Sequence, residues 1–525
     1  MRHVTSERSR AWRHHNWRAV LLRFRPAAAV LTVTWFLVAG PRAAIGAQDQ
    51  ANVAQMAARG REAMQARRFD DAVAVYAELV RRLPEEPRIR FNLGIALHSA
   101  GRYEAAATEL ERVVASDPSL APAWLMLGVT RLKLDQPDRA VPALRRAVEK
   151  EPANTLARIE LADAHLQLGQ FREAASHFHE ATALDPNSPK AWVGVGRSYT
   201  GMARQTFEEL ERLAPGSGYW AALLARAKAS QQQYRAAFHL YRQAAERAPT
   251  LRGVHAALAE IYRHTDHPEW AAEEDRREQL LPSLNCPAEQ LACEFAAGAY
   301  RALVDRLAGA RTAEELYWRS LAASELAREA FARLDGMPPS AEIHALRAEA
   351  FRIRGLHQLA IQELQPALAL SPEDREVRHR LAEAYWLNGD FEQALPLFGA
   401  LHREMPQSAA IAYQLGDTLL QLQKPEDAIP LLTKALERRA DYAEAQVALA
   451  RALVRVGRWQ EAIPHLEAMR SRDEDGGLHV LLARAYAATG QTGRTGEVMH
   501  RAEELRAAAA AHRQVANESS EITAP

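Results

Sequence analysis

The sequence predicts an all-α solenoid, a stack of helix hairpins without a single central core. Three observations lead to this fold class. The chain has 525 residues, which is too long for one ordinary hydrophobic core and favours several domains or a repeat array. Ala, Leu, Glu and Arg are abundant and no alternating β-branched runs stand out, as is typical of helical proteins. A pattern of small and aromatic residues recurs every 34 residues, which indicates one hairpin per period.

The repeat is clearest in segments that begin with Gly and end with Pro. Residues 101–118 read GRYEAAATELERVVASDP, and residues 169–186, two periods later, read GQFREAASHFHEATALDP. Between them, Ala140, Leu144 and Pro152 occupy the equivalent positions. Small residues at fixed positions let two helices approach closely, and the proline ends the second helix. We therefore predict that these signature residues form the core.

Units of this length occupy most of the chain. We predict a first array over residues 53–280 and a second over residues 312–506, separated by an irregular joint over residues 281–311. The units begin near Val53, Pro87, Ala121, Thr155, Pro189, Gly218, Arg252, Ala341, Arg375, Ala409, Ala443 and Gly476. Residues 507–525 are rich in alanine and then polar, and we expect them to form a flexible tail. The recurrence predicts about twelve to thirteen hairpins in total.

Two segments depart from the period and are similar to each other. Residues 192–215 and 317–339 are each too short for a full unit, and they contain the related sequences MARQTFEEL and LAREAFARL. We predict that both form short hairpins, which arise from an internal duplication or mark a recurrent bend.

The repeat pattern resembles that of the tetratricopeptide-repeat (TPR) family. The family pattern has an aromatic residue, Leu-Gly and Tyr in the first helix, then Ala, an aromatic residue, Ala and Pro in the second. Trp124, Leu127 and Gly128 match it in one unit, and Tyr199 matches it in another. The resemblance covers most of residues 53–505. It implies a right-handed superhelix of TPR-like hairpins whose concave groove, lined by the first helices, binds protein or peptide ligands.

The resemblance also implies that residues two, five, nine and twelve places into each unit face the groove. These are Phe91, Ile95, Leu125, Val129, Ile159, Asp163 and Arg197 in the first array, and Glu383, Trp386, Tyr413 and Asp417 in the second. The first set is largely apolar and suits an apolar peptide, whereas the second mixes carboxylates with aromatics and suits a basic or polar segment. Alternatively, some of these residues only contact neighbouring helices. The clamp that grips a C-terminal carboxylate in one TPR subclass is not present, because Ala57, Pro122 and Met126 occupy its basic positions.

The first 47 residues have the order of a secretory signal peptide. A basic stretch runs to Arg25, an apolar run follows from Ala27 to Ala39, and small residues lead to Ala47. The apolar run has 13 residues, fewer than the roughly 20 that a membrane-spanning helix needs. We expect cleavage after Ala47 and a periplasmic or secreted protein. The alternative is an uncleaved inner-membrane anchor with the rest of the chain facing the periplasm.

The charge of the chain argues against a nucleic-acid partner. Basic and acidic residues are equally numerous, at 66 each, whereas a general nucleic-acid binder needs a basic face. Residues 1–47 hold eight arginines and one acidic residue, so that 58 basic and 65 acidic residues remain beyond them, a net charge of −7.

The sequence contains none of the common catalytic or cofactor motifs. GxxxxGK[ST], HExxH, GxSxG and paired CxxC are all missing. His264 and His267 flank a predicted turn with Asp266, which suits either a metal site or, as we expect, a solvated turn. We therefore assign no catalytic, cofactor-binding or metal-binding residue and expect no enzymatic activity.

The two cysteines, Cys286 and Cys293, raise the question of a disulfide. Pairing is the default in an exported chain. A helix that begins at Pro287 would separate the two by about 10 Å of rise, whereas a disulfide needs Cα atoms within about 7 Å. Pairing therefore requires that part of the segment is not helical, and both alternatives stay open.

These features predict an exported TPR scaffold or adaptor that binds protein or peptide partners in a periplasmic or envelope assembly. Contact with a membrane is expected only through an uncleaved N-terminal segment. One alternative is a repeat-bearing enzyme of the glycosyltransferase-associated type, although repeats occupy nearly everything after residue 47. Another is a structural homo-oligomer formed by self-association of arrays.

Overall fold

The computed structural model describes residues 47–517 and 522–525, and within these residues all regular secondary structure is helical. The predicted all-α solenoid of tandem hairpins is confirmed. The predicted signal peptide lies outside the described residues except for Ala47, with which the first helix begins. None of the helices in the described ranges combines the length and the apolar character that crossing a bilayer requires.

The described residues form twenty-six α-helices. They are α1 (Ala47–Gln65), α2 (Phe69–Arg82), α3 (Pro87–Ser99), α4 (Tyr103–Ser116), α5 (Ala121–Lys133), α6 (Pro137–Lys150), α7 (Thr155–Gln167), α8 (Phe171–Leu184), α9 (Pro189–Leu213), α10 (Gly218–Ser230), α11 (Tyr234–Arg247), α12 (Val254–His264), α13 (Pro268–Leu280), α14 (Gln290–Ala296), α15 (Tyr300–Arg306), α16 (Ala313–Ala332), α17 (Ala341–Ile353), α18 (His357–Leu370), α19 (Arg375–Asn388), α20 (Phe391–Glu404), α21 (Ala409–Gln421), α22 (Pro425–Arg438), α23 (Ala443–Arg455), α24 (Trp459–Met469), α25 (Gly477–Ala488) and α26 (Thr492–Asn517). Short 3₁₀ turns follow α15 and α24.

The chain divides into two compact units. The first comprises the chain up to Met202 together with Ser324–Met337, and the second comprises Ala203–Ala323 together with Pro338–Pro525. The predicted joint, residues 281–311, therefore lies wholly within the second unit. In the joint, the nine residues from Leu281 to Glu289 precede the two short helices α14 and α15.

The hairpins turn sharply because one residue between the helices adopts the left-handed conformation. Gly101 and Gly169 do so with φ of 76° and 70°, as the residue after a helix often does. The equivalent residue of another hairpin is Asp266, with φ of 64°. A single left-handed residue reverses the chain within a few positions, so that the second helix packs back against the first.

Small signature residues form the contact between the two helices of a hairpin. Ala106, Ala140 and Ala174 have no exposed surface, which confirms the predicted core. A methyl group added at Gly128 would overlap the side chain of Leu144 from the facing helix. Side chains larger than these would therefore separate the helices.

The two segments that we predicted to be short hairpins are instead single long helices, α9 and α16. In the first unit, Phe331 of α16 packs on Gly196 of α9. In the second unit, Ser320 of α16 donates a hydrogen bond of 3.0 Å to the carbonyl oxygen of Ala203 of α9. The prediction was wrong because residues 192–213, which include Gly201, continue as one helix with many good helix formers and no proline. Each half of these helices packs against residues that are distant in the sequence.

Part of the predicted C-terminal tail is helical. Helix α26 continues past position 507 to Asn517. Beyond it, the carbonyl oxygen of Thr523 accepts a 2.5 Å hydrogen bond from the Tyr262 hydroxyl, and that of Ala524 accepts one from Arg242 at 3.3 Å. The flexibility of this segment stays a prediction.

Candidate functional site

The first unit presents a file of side chains at the ninth position of successive hairpins. Ile95, Val129, Asp163 and Arg197 occupy this position on α3, α5, α7 and α9, and all four are half-buried. Arg197 donates a hydrogen bond of 3.3 Å from Nη1 to Oδ1 of Asp163, which joins the long helix α9 to α7 of the preceding hairpin. The structure thus brings together Asp163 and Arg197 of the predicted groove residues.

The predicted groove residues at the fifth position lie in the core. Phe91, Leu125 and Ile159 expose only 6, 5 and 8% of their surfaces. Phe91 packs in one hydrophobic cluster with Leu110 of α4, and Leu125 in another with Leu144 of α6. In the units of Phe91 and Leu125, the fifth residue faces the second helix and the next hairpin, so that these two side chains stabilise stacking. The accessible apolar residues of the predicted set are Ile95 and Val129.

An acidic pair that the sequence analysis did not single out lies on α7. Burial, together with the nearby carboxylate of Asp163, raises the pKa of Glu160 to about 7, while Lys133 and Lys190 oppose the shift. Burial also raises the pKa of Asp163, against the effect of Arg197. Glu160 is three residues before Asp163 and therefore lies on the same face of the helix. This spacing is the sequence signal from which the acidic pair could have been predicted.

The second unit holds a group that we name the aromatic–acidic strip, consisting of Glu383, Trp386, Tyr413, Asp417, Tyr442 and Glu444. The indole Nε1 of Trp386 donates a hydrogen bond of 2.8 Å to Oδ2 of Asp417. The ring centroids of Trp386 and Tyr413 are 6.4 Å apart, and those of Tyr413 and Tyr442 are 5.0 Å apart. The strip therefore follows α19, α21 and the start of α23.

The carboxylates of the strip raise the pKa values of its tyrosines. Burial raises the pKa of Tyr413 well above its ordinary value, and Asp417, Tyr442 and Glu444 raise it further. Burial likewise raises the pKa of Tyr442, as do Glu444, Glu383 and Asp417, whereas Arg439 lowers it. Negative charge nearby disfavours ionisation of a phenol. Both tyrosines are therefore neutral rings in an acidic surrounding.

Two members of the strip were not among the predicted residues. Tyr442 precedes α23 and stands just before the first position of its unit, so that the family pattern did not place it in the groove. Glu444 stands at the second position, which the pattern does place there. Comparing the second position between units could therefore have identified Glu444 as a groove residue. The sequence contained no comparable signal for Tyr442.

The histidines around the turn at Asp266 contact aromatic rings. His264 stacks on Tyr234 with ring centroids 4.8 Å apart, and His267 stacks on Trp270 at 4.2 Å. Within the described ranges, no three His, Cys, Asp or Glu residues are arranged to hold a metal ion.

Cys286 and Cys293 form a disulfide with Cα atoms 5.6 Å apart. Helix α14 begins at Gln290, three residues after Pro287. The segment that contains Cys286 is therefore not helical, which satisfies the geometric condition for pairing that we derived from the sequence.

Comparison with protein families matches two models, both described as tetratricopeptide repeat. One matches residues 57–121, 125–189, 159–200 and 413–476, and the other matches residues 353–412 and 385–429. The matched residues lie in both compact units.

Several curated proteins are similar to parts of this chain. Small glutamine-rich tetratricopeptide repeat-containing protein 2 of Mycosarcoma maydis is 26% identical over 136 residues, which are 26% of this chain and 38% of that protein. The Hsp70-Hsp90 organizing protein of Triticum aestivum is 29% identical over 139 residues, 26% of this chain and 24% of that protein. Bacteriophage adsorption protein A of Escherichia coli (strain K12) is 31% identical over 91 residues, 17% of this chain and 9% of that protein. The chain thus spans well under half the length of each of these relatives.

Among solved structures, MamA from Desulfovibrio magneticus RS-1 aligns with 45% of this chain and 97% of its own. The two are 18% identical, with a TM-score of 0.26. We draw no functional argument from this similarity.

Proposed function

Because this chain belongs to the tetratricopeptide-repeat family, we propose that it is a non-catalytic scaffold that binds protein or peptide partners in the groove lined by its first helices. The observation that carries the proposal is the file at the ninth position of successive hairpins. Ile95 and Val129 are only half-buried there, although a solenoid would tolerate polar residues at such positions. Apolar side chains that recur on one accessible surface mark interaction sites.

We further propose that the protein is exported and acts in a periplasmic or envelope assembly. Two features support this location. Residues 1–47 have the basic, apolar and small-residue order of a signal peptide. Cys286 and Cys293 are paired, and disulfides persist in oxidising compartments.

Co-purification of the full chain from its native envelope tests the binding proposal. We expect the double variant Ile95→Glu, Val129→Glu to lose the partners that mass spectrometry identifies with the unmodified chain, because charge opposes apolar contact. The matched control is Leu184→Glu, which changes an exposed leucine at the end of the second helix α8. Thermal unfolding of each variant verifies that it is folded.

Equal recovery of the same partners by the folded double variant and by the control would refute binding through this file.

A further inference from the structure

The strip residues lie on first helices that follow one another in the second unit. Trp386 is on α19, Tyr413 and Asp417 are on α21, and Glu444 is on α23. The hydrogen bond between Trp386 and Asp417 connects the first two of these helices. The strip therefore lies along the helices that line the proposed groove.

The rings of the strip are inclined and leave aromatic surface accessible. The planes of Trp386 and Tyr413 meet at 74°, and those of Tyr413 and Tyr442 at 53°, so that neither pair is stacked face to face. All three side chains are half-buried. An aromatic face attracts a cation through its negative quadrupole, at a distance of up to about 6 Å from the ring centroid.

A contact of this kind is already present at the strip. The guanidinium carbon of Arg439 lies 3.6 Å from the centroid of the Tyr442 ring. Nearly half of the Arg439 side chain is exposed to solvent. A cationic side chain of the chain itself thus packs on the Tyr442 ring, which leaves Trp386 and Tyr413 as the rings for a ligand cation.

The carboxylates of the strip provide the complementary charge. Among the described residues, neither Glu383 nor Glu444 forms an ion pair with a basic side chain. The basic groups nearby are Arg439, described above, Arg451, whose charge lowers the pKa of Tyr413, and Arg352, whose pKa is raised, against the effect of burial, by Glu349 and Glu383. Arg352 forms its ion pair with Glu349, at 2.7 Å. With Glu349 and Asp417 counted, four carboxylates face these three arginines.

The Tyr413 hydroxyl adds a polar group. It makes no hydrogen bond to any residue in the described ranges. A tyrosine hydroxyl in a half-buried position usually finds a partner. A ligand can supply it.

We propose that the aromatic–acidic strip binds a lysine or arginine side chain of a cationic peptide segment. The cation would lie against Trp386 and Tyr413, with the carboxylates of Glu383 and Glu444 on either side. This inference rests on the proposed function, because it specifies the chemistry of one partner of the same groove. An acidic peptide is excluded by like charge.

A peptide titration with the full chain tests the inference. The probe is a fluorescein-labelled peptide of four Arg-Ser-Gly repeats, and the comparison peptides replace Arg with Gln or Glu. We expect saturable binding of the Arg peptide by fluorescence anisotropy, and at least tenfold weaker binding of the other two. The double variant Glu383→Gln, Glu444→Gln and the single variant Trp386→Leu should each weaken binding of the Arg peptide at least tenfold.

The matched control is the double variant Glu160→Gln, Asp163→Asn in the first unit, which replaces two carboxyl groups of another groove segment by amides and should change the affinity less than twofold. Equal binding of all three peptides, or an equal loss of affinity in the control, would overturn the inference. If the Arg peptide does not bind but native partners still co-purify with the full chain, the inference fails and the proposed function stands. If Ile95→Glu, Val129→Glu retains every partner while the strip variants lose Arg-peptide binding, the strip is the site and the file is not.

Discussion

The indole nitrogen of Trp386 donates a hydrogen bond to Oδ2 of Asp417, which is 2.8 Å away and one hairpin further along the chain. It connects the twelfth residue of one unit with the ninth residue of the next. In the first unit, Asp163 stands at the same ninth position and accepts a hydrogen bond from Arg197 of the following helix, α9. Equivalent carboxylates thus join neighbouring hairpins through different partners in the two units.

These two carboxylates should differ in their contribution to stability. Asp417→Ala should lower the free energy of unfolding by about 1–3 kcal/mol, because it leaves the indole N–H of Trp386 without its acceptor in a poorly solvated position. Asp417 is only 9% exposed, whereas the Asp163 side chain is 31% exposed. Asp163→Ala should therefore change stability by no more than about 0.5 kcal/mol. Urea unfolding of both variants measures the difference, and equal midpoints would contradict it.

The helix contact at Gly128 should tolerate no side chain. Gly128→Ala should destabilise the protein by about 1–3 kcal/mol, because the added methyl group overlaps Leu144. Gly493 of α26 has open space around it, so that Gly493→Ala is a matched control and should be neutral or stabilising. Thermal unfolding gives both results. A Gly128→Ala variant that unfolds no earlier than the control would refute this packing.

The long helix α16 should stabilise a part of the first unit that is distant in sequence. Phe331→Ala removes a buried ring that packs on Gly196 and should cost about 3–5 kcal/mol. Hydrogen exchange should then become faster in residues 189–202, with little change in the first hairpin, residues 47–82. The control Leu370→Ala truncates an exposed leucine on α18 and should leave exchange in 189–202 unchanged. Unaltered protection in Phe331→Ala would show that α16 does not stabilise this segment.

The raised pKa of Glu160 should make stability depend on pH. The pKa of this carboxyl is about 7 in the folded chain against an ordinary value of 4.5, so that the folded state binds the proton more tightly than the unfolded state. Stability should therefore fall as the pH rises from about 4.5 to about 7. Glu160→Gln should flatten that part of the profile, whereas the exposed control Glu149→Gln should not. Urea midpoints at pH 5 and pH 7.5 measure this, and a profile that Glu160→Gln leaves unchanged would rule it out.

The N-terminal segment should direct export. Residues 1–47 fused to a reporter that is active only outside the cytoplasm should give activity, because the apolar run from Ala27 to Ala39 engages the export machinery. Changing Val33 and Leu37 to Arg interrupts that run and should abolish the activity. A silent fusion, or an equally active control, would count against the proposed location.

Much of the local architecture was predictable from the sequence because it depends on short-range spacing. The period of 34 residues, the Pro that ends a unit and the small residues Ala106 and Ala174 specify where helices begin, end and meet. Each depends on the geometry of one hairpin, which repeats along the chain. The requirement that Cys286 lie outside a helix if it pairs was also available from helix rise alone.

Only the tertiary structure determined the contacts between segments that are far apart in the sequence. Phe91 was assigned to the groove, yet it is buried, because α5 of the next hairpin covers it. Phe331 packs on Gly196, although more than a hundred residues separate them, because both α9 and α16 continue through the expected turns. Tyr442 joins Tyr413 only through the stacking of successive hairpins. By itself, the sequence determined the repeat and its core, since these follow from local periodicity. The solvent accessibility of a side chain depends on which surfaces the neighbouring helices cover. Only the folded chain determines that.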